Sequence, residues 1–226
     1  MSAAISALRL SAFRPVWKNS AVPFDANAGE KIGRCRASSA GTRASLVTGS
    51  APRSRVRRVS GSGYAAVPTW APDGRRLAFI RAEPGRPNVW NLWLLAMDSA
   101  RLQPLTHYTH GQTWSASWFP DGQRLCYTHE DKLVLLDLPT QHTREFDSPI
   151  AHRLVRTPAV SPDGSKVIFQ VYRHGAWLLD LADASMRCVL ADPSAEEFAW
   201  APDGRRVAFH SRRDGQWGIY VLARGS

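Results

Sequence analysis

Cysteine is scarce in this chain of 226 residues, which has only Cys35, Cys126 and Cys188. An odd number of cysteines at wide spacing forms neither a disulfide framework nor a zinc motif. The chain also lacks the run of about 18 apolar residues that a membrane span needs. Its most apolar segment, residues 89–97, is short and contains Asn91. The sequence therefore predicts no membrane-spanning helix and no disulfide scaffold.

Acidic residues are almost missing from the first part of the chain. Residues 1–60 contain 11 Lys and Arg but 2 Asp and Glu, whereas residues 61–226 contain 18 and 17. The net charge of +10 thus belongs mainly to the N-terminal segment. Nucleic acid is not an expected partner, because the remainder of the chain is close to neutral.

Residues 1–52 have little apolar periodicity and are rich in Ala, Ser, Gly and Arg. We expect a basic, low-complexity, disordered tail there and one folded domain over residues 53–226. A transit peptide and a basic arm that contacts an acidic partner are the alternatives. Arg9 interrupts the apolar stretch that a secretory signal requires, so no export signal is recognised and the compartment is not predicted.

One pattern occurs four times in the remaining sequence, and each copy contains Pro-Asp-Gly. The aspartates are Asp73, Asp121, Asp163 and Asp203, at spacings of 48, 42 and 40 residues. Pro-Asp-Gly is typical of a tight turn, since Pro fixes φ and Gly adopts a positive φ. Apolar segments flank each turn, which indicates a repeated unit of four antiparallel strands, a to d. The last copy lacks strand d, and we expect residues 55–60 to supply it and close the ring.

The repeat resembles the Pro-Asp-Gly repeat of TolB-like proteins, a relative of the WD-type repeats, over residues 53–226. That resemblance implies an all-β fold, a β-propeller of about four blades. It also implies a non-catalytic binding or scaffold module for a protein or peptide, as in the Tol-Pal system of the bacterial envelope. By the same resemblance the compartment would be the periplasm. The expected assembly is a monomer, or a dimer that completes the propeller.

A metal-dependent lyase or hydrolase is the alternative function. Related propellers precede a hydrolase domain or form a lyase, but this chain has no Gly-x-Ser-x-Gly motif. No catalytic residue, bound metal or cofactor is therefore predicted.

The candidate binding residues belong to the d–a and b–c loops, which the blade topology brings to one face. They are His107, His110, His152, Arg153, His174 and Arg213. Arginine binds carboxylates, and converging imidazoles suit a divalent metal. Arg156, Arg173, Arg212 and His129 belong to the same loops. The alternative interpretation is an ordinary charged rim balanced by nearby carboxylates.

Overall fold

The computed structural model describes residues 56–223. Those residues form fifteen β-strands and no helix, and none of their segments qualifies as a membrane-spanning helix. The strands are β1 (Ala65–Trp70), β2 (Arg76–Glu83), β3 (Arg86–Ala96), β4 (Arg101–Pro104), β5 (Thr113–Trp118), β6 (Arg124–His129), β7 (Lys132–Asp137), β8 (Thr143–Asp147), β9 (Val155–Val160), β10 (Lys166–Val171), β11 (Gly175–Asp180), β12 (Met186–Leu190), β13 (Glu196–Trp200), β14 (Arg206–Ser211) and β15 (Gly218–Ala223).

Antiparallel pairing groups these strands into four sheets, or blades, in chain order. The first three blades have four strands each, β1–β4, β5–β8 and β9–β12, and the fourth has β13–β15. The predicted all-β propeller architecture is confirmed.

The Pro-Asp-Gly segments form the β1–β2, β5–β6, β9–β10 and β13–β14 turns. In the first, the Asp73 carboxylate accepts the Arg75 N–H at 2.8 Å, and Gly74 has φ of 66°. That hydrogen bond lowers the pKa of Asp73. These turns fix the register in which strand b of each blade pairs with strand a.

Neighbouring blades pack face to face, and the apolar core lies between them. Ala78 and Leu92 of the first blade pack with Leu125 and Tyr127 of the second. Cys126 and Leu133, on the second blade's other face, pack with Phe169 of the third blade. Cys126 is buried, as expected for an inert core thiol, and its burial raises the pKa.

The predicted closing strand is not formed. Residues 56–60 are not a strand, and within the described residues β15 has no partner besides β14. Val59 packs instead against Leu77 and Phe79 on the outward face of the first blade. An apolar side chain gains more there than in an exposed edge strand, so this part of the prediction was wrong. The predicted tail, residues 1–52, lies outside the described residues.

Candidate binding site on the loop face

The blade topology gathers two kinds of connection at one end of the sheets, which we call the loop face. They are the β4–β5, β8–β9 and β12–β13 connections and the β2–β3, β6–β7, β10–β11 and β14–β15 turns. Strand a of each blade begins at this end, so its first residues lie beside those turns. Side chains from all four blades can therefore act together here.

Each strand a has a bulge near its start, where its register with strand b shifts. Thr157 and Glu197 lie in two of these bulges and have φ of 46° and 58°. Positive φ is uncommon outside glycine, and such strain is concentrated at functional sites. At or next to the bulge, the residues four positions before the end of strand a occupy one position in successive blades: Trp114, Arg156 and Glu196. The loop face thus presents an aromatic, a cationic and an acidic side chain in a row.

Arg156 is the central side chain of this row. Its guanidinium carbon lies 3.9 Å from the centre of the Trp114 ring and 4.2 Å from that of Tyr172. The side chain is half-buried, and burial lowers its pKa, although arginine remains charged at neutral pH. Within the described residues it has no hydrogen bond or ion pair, and its Nε is buried without a partner.

Two carboxylates lie near Arg156 without contacting it. Glu130 accepts the Gln112 N–H through Oε1 at 2.7 Å, which holds this carboxylate against its own loop. Burial raises the pKa of Glu196, and the neighbouring Glu197 raises it further. These carboxylates therefore screen the Arg156 charge only partly, and the guanidinium keeps N–H donors for an external acceptor.

The aromatic surface continues on both sides of Arg156. Trp90 packs edge-on against Trp114, with ring centres 5.2 Å apart, and Tyr64 lies 5.4 Å from Trp90. On the fourth blade, His210 stacks on Trp217 at 4.2 Å, and its Nδ1 is 3.9 Å from carboxylate oxygens of Glu196 and Glu197. Tyrosine and tryptophan are the residue types enriched in protein interfaces.

The predicted site residues are distributed along the edge of the loop face. His107 and His110 lie in the β4–β5 connection, His152 and Arg153 in the β8–β9 connection, and His174 and Arg213 in hairpin turns. Only His110 approaches another of the histidines discussed above, His129, with ring centres 6.0 Å apart. His129 itself stacks on Tyr108 at 3.5 Å, and burial lowers its pKa. Arg213 lies 5.7 Å from the centre of the Tyr220 ring.

Sequence reasoning assigned Arg156 to this face but did not single it out. The four repeats do contain the relevant signal. Trp114, Arg156 and Glu196 each precede the last residue of strand a by four positions. That register predicts that the three side chains lie at equivalent positions in adjacent blades. It does not show that Tyr172 covers Arg156.

Metal ligands do not converge within residues 56–223. No group of three or more His, Cys, Asp or Glu side chains there has a geometry that could hold a metal ion.

A cleft of about 430 Å³ lies elsewhere, between the third and fourth blades. Asp163 and Gly204 of the Pro-Asp-Gly turns line it, together with Lys166, Arg187 and the exposed Cys188. None of the predicted binding residues contributes to this cleft.

The four antiparallel blades, packed face to face, define a β-propeller protein. TolB from Acinetobacter baumannii has a similar fold, with 20% sequence identity and a TM-score of 0.60, over 71% of this chain and 41% of that one. An oligogalacturonate lyase in complex with manganese is similar at 17% identity and a TM-score of 0.53, over 72% and 49%. The β-propeller domain of Cps50 (Swd1) from Myceliophteria thermophila has 15% identity and a TM-score of 0.55, over 73% and 57%.

At such identities these likenesses concern the fold, and the chain spans less than half the length of TolB and of the lyase. No family model matches the chain, and no curated protein matches it.

Proposed function

We propose that this propeller is a non-catalytic binding module whose loop face holds a carboxylate-bearing segment of a peptide or protein. The observation that carries this proposal is the Arg156 guanidinium, stacked between Trp114 and Tyr172 without an acceptor among the described residues. Two flanking rings restrict the guanidinium, so little side-chain entropy is lost when a carboxylate binds.

The surrounding surface supports a peptide rather than a small anion. Trp90, Trp114 and Tyr64 form a continuous aromatic row, and aromatic rings provide contact area for side chains that flank a carboxylate. The exposed Arg153, Arg173 and Arg213 add positive charge around it. In this arrangement the predicted histidines and arginines belong to the rim and Arg156 is the anchor.

The metal-dependent alternative requires a histidine cluster, and the histidines of the described loop face do not form one. The likeness to the manganese-bound lyase concerns the fold alone. The binding function therefore has the stronger support from the geometry.

The test is binding of a fluorescein-labelled hexaglutamate peptide to the full chain, measured by fluorescence anisotropy, with hexalysine as the reference peptide. We expect hexaglutamate to bind and hexalysine not to bind. Arg156→Met keeps much of the apolar stem but removes the charge. It should weaken binding about 10-fold or more, because hydrogen bonds to charged groups contribute about 1.5–3 kcal/mol.

Arg144→Met is the matched control, since Arg144 also covers an aromatic ring, Phe146, at 4.6 Å but lies on the outer strand β8. Its affinity should equal that of the unmodified chain. Equal binding by the Arg156 variant, or no preference for the acidic peptide, would contradict the proposal.

A further inference from the structure

The contact between the first and second blades holds an arginine side chain at the end with the Pro-Asp-Gly turns. Arg76 of the first blade forms an ion pair with Asp73, with Nη2 at 2.7 Å from Oδ2. The same nitrogen donates to Gly122 O of the second blade at 2.6 Å, and the guanidinium carbon lies 5.1 Å from the centre of the Trp118 ring. A carboxylate, a carbonyl and an indole therefore bind one guanidinium between two blades.

The cleft between the third and fourth blades is lined by the residues at the same three repeat positions. Asp163 is at the carboxylate position, Gly204 at the carbonyl position and Trp200 at the indole position. The Trp200 indole N–H donates to Ala159 O at 3.0 Å, and the Trp118 indole N–H donates to its preceding blade in the same way at 3.1 Å. The two rings are therefore held alike, but Trp118 is buried and Trp200 is partly exposed.

The two contacts differ in the cation of the first strand b, because Lys166 stands at the position of Arg76. Lys166 pairs across the strands with Asp180, and its ammonium forms an ion pair with that carboxylate. In the first blade the residue opposite Arg76 is Ala96, which offers no charge to compete with the turn. Lys166 thus directs its charge away from the cleft, and within residues 56–223 no cation covers the Trp200 ring.

Asp163 keeps an acceptor position on the oxygen that matters. Its Oδ1 accepts the Ser161 hydroxyl at 2.6 Å and the Ser165 N–H at 3.0 Å, whereas Oδ2 accepts the Ser165 hydroxyl at 2.8 Å. In the first blade, Oδ2 is the oxygen that binds Arg76. An ionised carboxylate offers about four acceptor positions, so Asp163 Oδ2 can accept one further N–H.

The remaining charge in the cleft indicates what else a ligand must carry. Arg187 and Arg205 are exposed and line the cleft, so they would repel a simple cation but bind a carboxylate on the same molecule. The cleft volume of about 430 Å³ lies within the range of about 300–1,000 Å³ of small-molecule sites.

We propose that this cleft binds an arginine with a free carboxylate, either the amino acid itself or the C-terminal residue of a peptide. The ligand guanidinium lies over Trp200 and pairs with Asp163 Oδ2, and its carboxylate is bound by Arg187 or Arg205. A cation over an indole face is an attractive arrangement. This site is separate from the loop face and does not depend on the proposed function.

The first experiment is isothermal titration calorimetry of the full chain with L-arginine, L-citrulline, agmatine and the tripeptide Gly-Gly-Arg. Citrulline replaces the guanidinium by a neutral urea group, and agmatine lacks the carboxylate, so each should bind at least 10-fold more weakly than L-arginine. Tighter binding of Gly-Gly-Arg than of L-arginine would assign the site to a peptide terminus, and weaker binding would assign it to the free amino acid. Binding of neither, or equal binding of L-arginine and citrulline, would overturn the proposal.

Two variants then locate the ligand in the cleft. Asp163→Asn should weaken L-arginine binding at least 10-fold, because the ion pair is lost. The double variant Lys166→Arg with Asp180→Ala restores the residue pair found at these positions in the first blade. Its own guanidinium should then cover Trp200, so L-arginine binding should be lost although the chain stays folded.

Asp121→Asn is the matched control, because Asp121 has the same turn position in the second blade and does not line the cleft. Its affinity for L-arginine should equal that of the unmodified chain. Thermal melting of each variant checks that the chain is folded. Unchanged binding by a folded Asp163→Asn variant, or by the folded double variant, would overturn the proposal.

Discussion

The second and fourth blades share one repeat but differ in what surrounds them. The second blade packs against a neighbour on each face, and both of its faces belong to apolar cores. The fourth blade contributes one face to such a core and leaves the other open within the described residues. The sequence of strand c therefore predicts a buried strand in both blades. Whether the strand is buried depends on the blades that pack against it.

The largest expected difference compares Leu133→Ala with Ile219→Ala, two substitutions at one position of strand c. Leu133 is enclosed, so its truncation should lower the free energy of unfolding by about 2–5 kcal/mol. Ile219 is exposed, so its truncation should change that free energy by about 0.5 kcal/mol or less. Urea unfolding measures both. Equal losses would mean that something covers the fourth blade in solution.

A smaller difference is expected between the Pro-Asp-Gly turns of the third and fourth blades. The Ser161 and Ser165 hydroxyls and the Ser165 N–H donate to Asp163, which lowers its pKa to about 2. Asp203 accepts a backbone bond from Arg205 and has no serine donor. Asp163→Asn should therefore lower the free energy of unfolding by about 1–2 kcal/mol near neutral pH, and Asp203→Asn should lower it by less.

The pH dependence of the Asp163 effect follows from the direction of its pKa shift. The pKa in the folded chain lies below the ordinary value of 3.8, so the carboxylate contributes stability above that value. This contribution is lost as the pH falls through the folded pKa of about 2. The difference in the free energy of unfolding between the unmodified chain and Asp163→Asn, measured by urea unfolding, should therefore shrink from pH 4 to pH 2. A constant difference would show that the serine bonds do not form.

The sequence predicted the blades because turn chemistry is local. Pro, Asp and Gly specify each turn within three residues, and strands a and b follow directly from it. Ring closure was predicted from an alignment of residues 55–60 with the outer strands, and it was wrong for the described residues. Val59 fits an edge strand by pattern, but packing on Leu77 and Phe79 depends on tertiary contacts that no local pattern contains.

The sequence predicted that the candidate residues lie at one end of the blades, but it did not predict the contacts between side chains there. Loop topology assigned the histidines and arginines to one face, because alternate connections of a blade share an end. The stacking of Arg156 between Trp114 and Tyr172 joins two blades and depends on the bulge at the start of β9. A bulge changes the direction of one side chain without a clear sequence signal, so the stacking of Arg156 is seen only in the structure.

The smallest difference is expected between Trp118→Phe and Trp70→Phe. Both substitutions keep an aromatic ring, but only the first removes a hydrogen bond between blades, to Thr69 O. Trp118→Phe should lower the free energy of unfolding by about 0.5–1.5 kcal/mol, the net contribution of one such bond. Trp70→Phe should have no measurable effect in urea unfolding, because Trp70 is 53% exposed. Because the two tryptophans share one repeat position, a cost at Trp70 would indicate that its indole is covered in solution.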